Sequence, residues 1–533
     1  MALTKAHPRM MAGVPISVKD FGAVGDGTTD DTIAIQAADA AAEANGLVLV
    51  FPNGTYYFTS DLTFDAPVRM EGGVLLGSNT VSFPTNFDAD GYYCFRCPTL
   101  TVRTFKVNVK WYGARGDNTG DTPGDESIDI TSEPWNTWDN TGWKDNVSWS
   151  PYGTSGSFVA PRPSGLPFAN DDTWDYIGCS RALWASENNA QTTFFPAGTF
   201  IINVSSTDSK GSLNGLSIMR DMGHTIEGAG VYETIIYPKE DYTFFNTTST
   251  GSTNAFQLFN IYRTGGPPTH ITGMAFVGPT NYTVTSQNLT LIRCQNINGV
   301  TFRDLWLSSG DYGIHSTTNG GDSHIKGVTS EYLWRATVYT DSGSDFTIDF
   351  CNFWASAVVT GQRGIEADGK VDVRNTRFIN FRAQSCLAAR GVFQNNYVAV
   401  SSAATNVSFT SDALVTGNYM TGSSGAPFVK VGSNSTISDN YFYQTDQHGC
   451  IDGGTSSAGT ATNLVISGNT FIKTNATAAA QNYAITALDS GVSYTGAATA
   501  SMFIIGNTFQ GRALTSIGSA TIKDNIFSGS YTA

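Results

Sequence analysis

From about residue 220 onward, apolar and polar positions alternate in short runs that resemble one another. Val300-Thr301-Phe302-Arg303-Asp304-Leu305-Trp306, Phe346-Thr347-Ile348-Asp349-Phe350-Cys351-Asn352-Phe353 and Val371-Asp372-Val373-Arg374-Asn375-Thr376-Arg377-Phe378 open the series. Ile437 to Phe442, Ile466 to Phe471, Ile505 to Phe509 and Ile522 to Phe527 continue it. In each run an aliphatic residue or Phe alternates with a polar one, the period of two that marks a strand with one buried face. Many runs lie roughly 18–25 residues apart, the spacing expected when each coil of a parallel β-helix is one repeat. A recurring Asn before x-Phe suits a turn position in the left-handed region, and stacked Asn side chains hydrogen-bond along the axis. The pattern predicts an all-β solenoid over residues 220–533.

Upstream, one segment occurs twice. The first copy is Asp20-Phe21-Gly22-Ala23-Val24-Gly25-Asp26-Gly27, then Asp30-Asp31-Thr32, an Ala-rich stretch, and Leu47-Val48-Leu49-Val50-Phe51-Pro52-Asn53-Gly54. The second begins at Trp111-Tyr112-Gly113-Ala114-Arg115-Gly116-Asp117, resumes at Asp171-Asp172-Thr173 and closes with Thr193-Phe194-Phe195-Pro196-Ala197-Gly198. Each cassette predicts a Gly-rich turn, a helix capped by Asp, and a buried strand ended by a turn, here Pro52-Asn53-Gly54. The second helix is expected around Tyr176 to Ala185. A helix laid over the first strands covers an end that would otherwise recruit other chains. The expected organisation is a junction at 1–19, a first cassette at 20–110, a second at 111–219, and the solenoid. Residues 118–169 form a long insertion with Trp135, Trp138, Trp143 and Trp149. Insertions of this length are functional or interface elements, so these rings either stack on sugars or pack the loop.

Only 14% of the 533 residues are charged and 40% are apolar, with a net charge of −15. An acidic chain lacks the basic face that a nucleic-acid partner requires. Seven scattered cysteines do not form a disulfide framework, and Cys94 and Cys97 have no second pair to complete a zinc site. Buried free thiols are expected, with no cofactor or metal. The first residues lack an apolar signal core and no stretch is long enough to span a bilayer. Synthesis in the cytoplasm is expected, with exit by lysis or a dedicated machine.

The cassette followed by rungs resembles the pectate-lyase-like single-stranded right-handed parallel β-helix superfamily, and more narrowly the tailspike depolymerases of bacteriophages. Leu3-Thr4-Lys5 through Val18-Lys19-Asp20-Phe21-Gly22 resembles the junction where such spikes pass into the helix. The resemblance implies a homotrimer in the virion tail that binds and degrades a bacterial surface polysaccharide, capsule or O-antigen, with a tail or baseplate component as partner.

One acidic column stands out for the chemistry. Asp322, Asp345 and Asp368 are each 23 residues apart (345 − 322 and 368 − 345). Four residues on, Asp349 and Asp372 share a register with Lys326, while Asp341 and Glu366 lie just upstream. Stacked coils put equivalent positions about 4.8 Å apart, near the roughly 5–5.5 Å of a retaining carboxylate pair, and two coils give about 9.6 Å, near the roughly 6.5–9.5 Å inverting range. Asp322, Asp345, Asp368 and Glu366 are therefore candidate glycosidase acids. The same residues, crowded by Gly and Ser, also read as Asp-capped turns, and a calcium site is a third reading. A lyase would need a base and a cation to neutralise a uronate. His315, His324, Lys326, Tyr332 and Arg335 lie close to these coils. Trp306, Trp334 and Trp354, on three successive coils, form either a sugar platform or core. Hydrolysis is the first expectation, β-elimination the second, and glycan binding without cleavage the third.

Overall fold

The computed structural model describes residues 14–97, 99–102, 104, 106–132, 168, 170–187, 191–203, 213–218, 223–239, 256–262, 268–279, 289–295, 299–317, 322–340, 345–355, 361–400, 407–422, 427–444, 450–452, 454–455, 459–460, 463–473, 483–486, 502–510, 513–514 and 521–528. The Trp-rich part of the insertion, with Trp135, Trp138, Trp143 and Trp149, and Asp341 lie outside them. The chain divides into two compact units, Met1–Glu240 with Leu258–Met274 and Asp241–Gln257 with Ala275–Ala533. Its strands form a right-handed parallel β-helix.

In the first unit, Ile16–Ser17, Leu49–Tyr57, Val68–Leu76 and Phe87–Asp88 pair in parallel. Helix α1 (Thr32–Asn45) packs on the first two and stops at Gly46, whose φ of 61° is left-handed. Asp31 does not cap α1 with its side chain. Its carboxylate instead receives the Val24 and Gly25 amides at 2.6 and 3.0 Å and locks the Gly-rich turn to the helix. The second cassette repeats this contact with a different residue. Asp175, inside helix α2 (Trp174–Glu187), receives the Arg115, Gly116 and Ile201 amides at 2.7, 2.8 and 2.8 Å. The Asp-Asp-Thr match in sequence is thus three residues out of structural register. Burial raises the Asp175 carboxyl against the pull of those amides.

Pro52-Asn53-Gly54 does not end its strand. Leu49–Tyr57 runs through it, because Pro52 sits at a bulge opposite both Glu71 and Gly72. The solenoid pairing also begins before residue 220. Lys106–Asn108, Thr192–Phe195, Thr225–Gly228 and residues 270–272 stack in register within the first unit.

The second unit coils past three faces. The first carries residues 300–303, Ser323–Lys326, Phe346–Asp349, 371–374, 391–394, Ala413–Thr416, Thr436–Ser438, Leu464–Ser467 and Met502–Ile505. A corner follows in which Asp304, Gly327, Phe350, Asn375, Asn395, Gly417, Asp439, Gly468, Gly506 and Asp524 all have φ between 50° and 67°. The second face holds residues 329–331, Asn352–Trp354, Arg377–Phe381, Tyr397–Val400, Tyr419–Gly422, Tyr441–Gln444 and Thr470–Lys473. The third holds residues 312–317, 336–340, 363–367 and 386–388.

Stacked asparagines join the coils, one residue after the left-handed position rather than at it. Asn396, Asn418, Asn440, Asn469 and Asn507 each present Oδ1 to the backbone amide of the preceding coil, at 2.8–3.0 Å. Inside, Phe442, Phe471 and Phe509 stack at 4.9–5.0 Å, and the exposed Phe527 ends the stack at 4.8 Å.

All seven cysteines are free and buried, and burial pushes the Cys97 and Cys351 thiols up to about 12. The native protein should therefore not react with a thiol-specific disulfide reagent, and all seven should react on denaturation. Rapid labelling of the native state would contradict this packing.

Candidate functional site

The acidic column holds for one step and then fails. Ser323 pairs with Phe346, so Asp322 and Asp345 do neighbour one another on adjacent coils. Phe346, however, pairs with Val371, which aligns Asp345 with Lys370. That coil is 25 residues long (371 − 346), and Asp368 falls two positions short of the column. The same shift aligns Asp349 with Arg374 and places Asp372 opposite Thr347. Asp345 works as a turn residue, its Oδ1 receiving the Lys370 amide at 3.0 Å. Asp322 and Asp368 are exposed. Asp349 receives Asn375 Nδ2 at 2.9 Å, and Asp372 is bound by Lys370 at 3.1 Å. These are contacts of turns and strand edges. Asp345→Asn should accordingly retain wild-type turnover, and its loss would return the column to contention.

Glu366 stands elsewhere, on the third face. There His315 pairs with Tyr339, Tyr339 with Glu366, and Arg293 with His315. This is a true column, but its spacings are 24 and 27 residues (339 − 315 and 366 − 339), which a fixed repeat does not reveal. The rings of Tyr312, His315 and Tyr339 meet with centroids 4.8–5.1 Å apart. His315 is buried beneath them, whereas Tyr339, Glu366 and Arg293 are half-buried and so reach the surface.

Cations interleave with this column. Arg335 Nη1 donates to Tyr312 Oη at 2.9 Å, with its guanidinium 5.8 Å from that ring. Arg363 is bonded to Glu366 and donates through Nε to Gln384 Oε1 at 2.9 Å. Burial raises the Tyr312 phenol above its ordinary range, opposed by Arg335 and reinforced by Asp311 and Glu366. Tyr312 therefore stays protonated at neutral pH, accepting from Arg335 while its O–H remains able to donate. Two nearby carboxylates are already engaged. Asp311, buried, takes the Leu289 amide at 3.1 Å, and Glu331 takes Trp306 Nε1 at 3.0 Å.

The remaining candidates scatter. Trp306 aligns with Thr329 and Asn352, Trp354 with Ile379, and Trp334 lies within Thr329–Thr340, so the three tryptophans do not form one platform. Trp354 is 44% exposed. Tyr332 is 58% exposed with φ of 54°, a strained backbone for a bulky side chain. His324 is on the first face, away from the cluster in register, and Lys326 lies 5.5 Å above the Phe350 ring. Sequence reasoning reached His315, Arg335 and Glu366 separately but missed Tyr312, Tyr339 and Arg363.

The fold is thus a solenoid that brings Tyr312, His315, Tyr339 and Glu366 together on its third face, the first two buried and the last two half-buried. Residues 15–92 match the family described as Rhamnogalacturonase A/epimerase, pectate lyase-like, in line with the pectate-lyase-like superfamily that the cassettes and rungs resemble. The mannuronan C5-epimerase AlgE2 of Azotobacter vinelandii is 61% identical over 82 residues, 14% of this chain and only 8% of that protein. Among solved structures, the A-module of the A. vinelandii mannuronan C-5 epimerase AlgE6 has a TM-score of 0.49 at 13% identity, covering 80% of this chain and 100% of that one. The tailspike protein of E. coli bacteriophage HK620, in complex with a pentasaccharide, has a TM-score of 0.34 at 14% identity, covering 69% and 65%.

Proposed function

We propose that this protein is a tailspike-type depolymerase that binds a bacterial surface polysaccharide and cleaves it by β-elimination at a uronate. The observation that carries this reading is the Tyr312–His315–Tyr339–Glu366 cluster with Arg335 and Arg363. Elimination needs a cation to neutralise the sugar carboxylate, a group to take the proton beside it, and a donor for the departing oxygen. Arg335 and Arg363 supply the first. Tyr339, the half-exposed ring packed on His315, is the proton-transfer group, and protonated Tyr312 is the donor behind it. Tyr339, as phenolate, takes the C5 proton, the C–H electron pair becomes the new C4=C5 bond, the C4–O bond breaks, and its oxygen leaves as a hydroxyl with the Tyr312 proton, which the proton now on Tyr339 replaces. Hydrolysis by an acid pair is less well supported, because Glu366 is ion-paired with Arg363 and the Asp322–Asp345–Asp368 column breaks. The resemblance of residues 3–27 to a tailspike junction supports the phage setting, with a homotrimer as the working assembly.

Incubation with uronate-containing capsular polysaccharide tests the chemistry. Elimination predicts new reducing ends accompanied by an ultraviolet-absorbing double bond. Reducing ends without that absorbance would establish hydrolysis, and unchanged polymer length would leave a binding protein.

A further inference from the structure

A second outer feature begins on the coil that carries Arg363 and Glu366. On the second face, Arg377, Tyr397, Tyr419 and Tyr441 occupy one register position on four successive coils. The rings stack nearly parallel, with centroids 5.6 and 5.1 Å apart and interplanar angles of 4° and 10°. Arg377 lies 5.7 Å over the outermost ring. Tyr397 and Tyr419 remain 37% and 39% exposed. Because the ring faces cover one another, what reaches solvent is a row of phenol edges and hydroxyls, one per coil, at a spacing comparable to one pyranose unit.

Charge selects the occupant. Arg377–Phe381, Tyr397–Val400, Tyr419–Gly422 and Tyr441–Gln444 contain no Asp or Glu in a chain of net charge −15, and their one cation is Arg377. Such a strip, with one cation and no carboxylate, does not repel an anionic, hydroxyl-bearing polymer as a chain of net charge −15 does on average. A second copy of this chain would find its apolar match on the first face instead. There Val392, Leu414, Thr436, Val465 and Phe503 lie in one register column, apolar but for Thr436, with Leu414 and Phe503 exposed.

We propose that the Arg377–Tyr397–Tyr419–Tyr441 row is a glycan-holding strip that grips an acidic polysaccharide along the coil axis, away from the reacting cluster. This rests on the glycan reading of that cluster. Phenol hydroxyls accept and donate to sugar hydroxyls, and Arg377 pairs with a carboxylate at one end of the row.

The test is the double variant Tyr397→Thr/Tyr419→Thr, since Thr470 and Thr508 already occupy this register position on later coils and the fold accepts them. Migration in gels containing alginate, polygalacturonate or neutral dextran is compared with wild type, alongside denaturation midpoint, mass by light scattering and formation of unsaturated products. The strip predicts that an acidic gel retards wild type, that the variant's dissociation constant rises about tenfold, and that midpoint and mass do not change. Equal retardation of both proteins overturns the strip, and if wild type still forms unsaturated products the cluster reading survives. Altered mass in the variant overturns it in favour of a protein interface. Wild type that is neither retarded nor productive removes both proposals.

Discussion

Replacing Asn440 by alanine is expected to destabilise the β-helix by about 4 kcal/mol, given roughly 1–3 kcal/mol for each buried polar group left without a partner. Asn440 is buried and makes four side-chain bonds. Its Oδ1 receives the Asn418 amide at 3.0 Å and Asn418 Nδ2 at 2.8 Å. Its Nδ2 donates to Val415 O and to Asn469 Oδ1, both at 2.9 Å. Two of the abandoned groups keep another bond: Asn418 Nδ2 still reaches Phe393 O, and Asn469 Oδ1 still receives the Asn440 amide. The Asn418 amide and the Val415 carbonyl lose their ladder partner, in the interior where water cannot replace it. Because a coil touches only its neighbours, the loss falls on the adjacent coils first and shows as an earlier urea transition. An effect below about 1 kcal/mol would mean that the ladder is incidental to stability.

Tyr339→Phe should lower turnover by about a hundredfold to ten-thousandfold, the usual contribution of a positioned proton-transfer group. The ring contacts with Tyr312 and His315 remain, so the melting temperature should not move. Arg335→Gln should act differently. It removes a cation but can still donate to Tyr312, so it should weaken binding of uronate polymers more than it alters stability. A Tyr339→Phe enzyme with more than half of wild-type activity would remove this phenol from the mechanism.

Much of the architecture was legible in the chain. The alternation in Phe346–Phe353 and the recurring Asn-x-Phe report burial and ladder bonding directly, since each coil must solve the same local packing problem. The two cassettes do contain the expected Gly-rich turns and helices, but Asp31 does not cap its helix and Pro52-Asn53-Gly54 does not end its strand. Their acidic residue was misaligned, because the contact depends on where a helix meets the Gly-rich turn and not on the spelling Asp-Asp-Thr. The site was far less legible. Counting in steps of 23 gave Asp322, Asp345 and Asp368, but coil length varies at the corners, and two extra residues before Val371 move Asp368 out of line. His315, Tyr339 and Glu366 come together only once strand register is known. Tyr312 and Tyr339 carry no sequence signal that separates them from packing aromatics.

A sugar acid is expected to be processed on the third face, beside Tyr339, rather than over the aspartates of the first face. The structure of Tyr339→Phe with a bound uronate oligosaccharide decides between the two faces. A sugar carboxylate held by Arg335 and Arg363, with the sugar ring against the substituted position 339, is the expected result. A sugar seated instead over Asp322 and Asp345, with the third face empty, would contradict it.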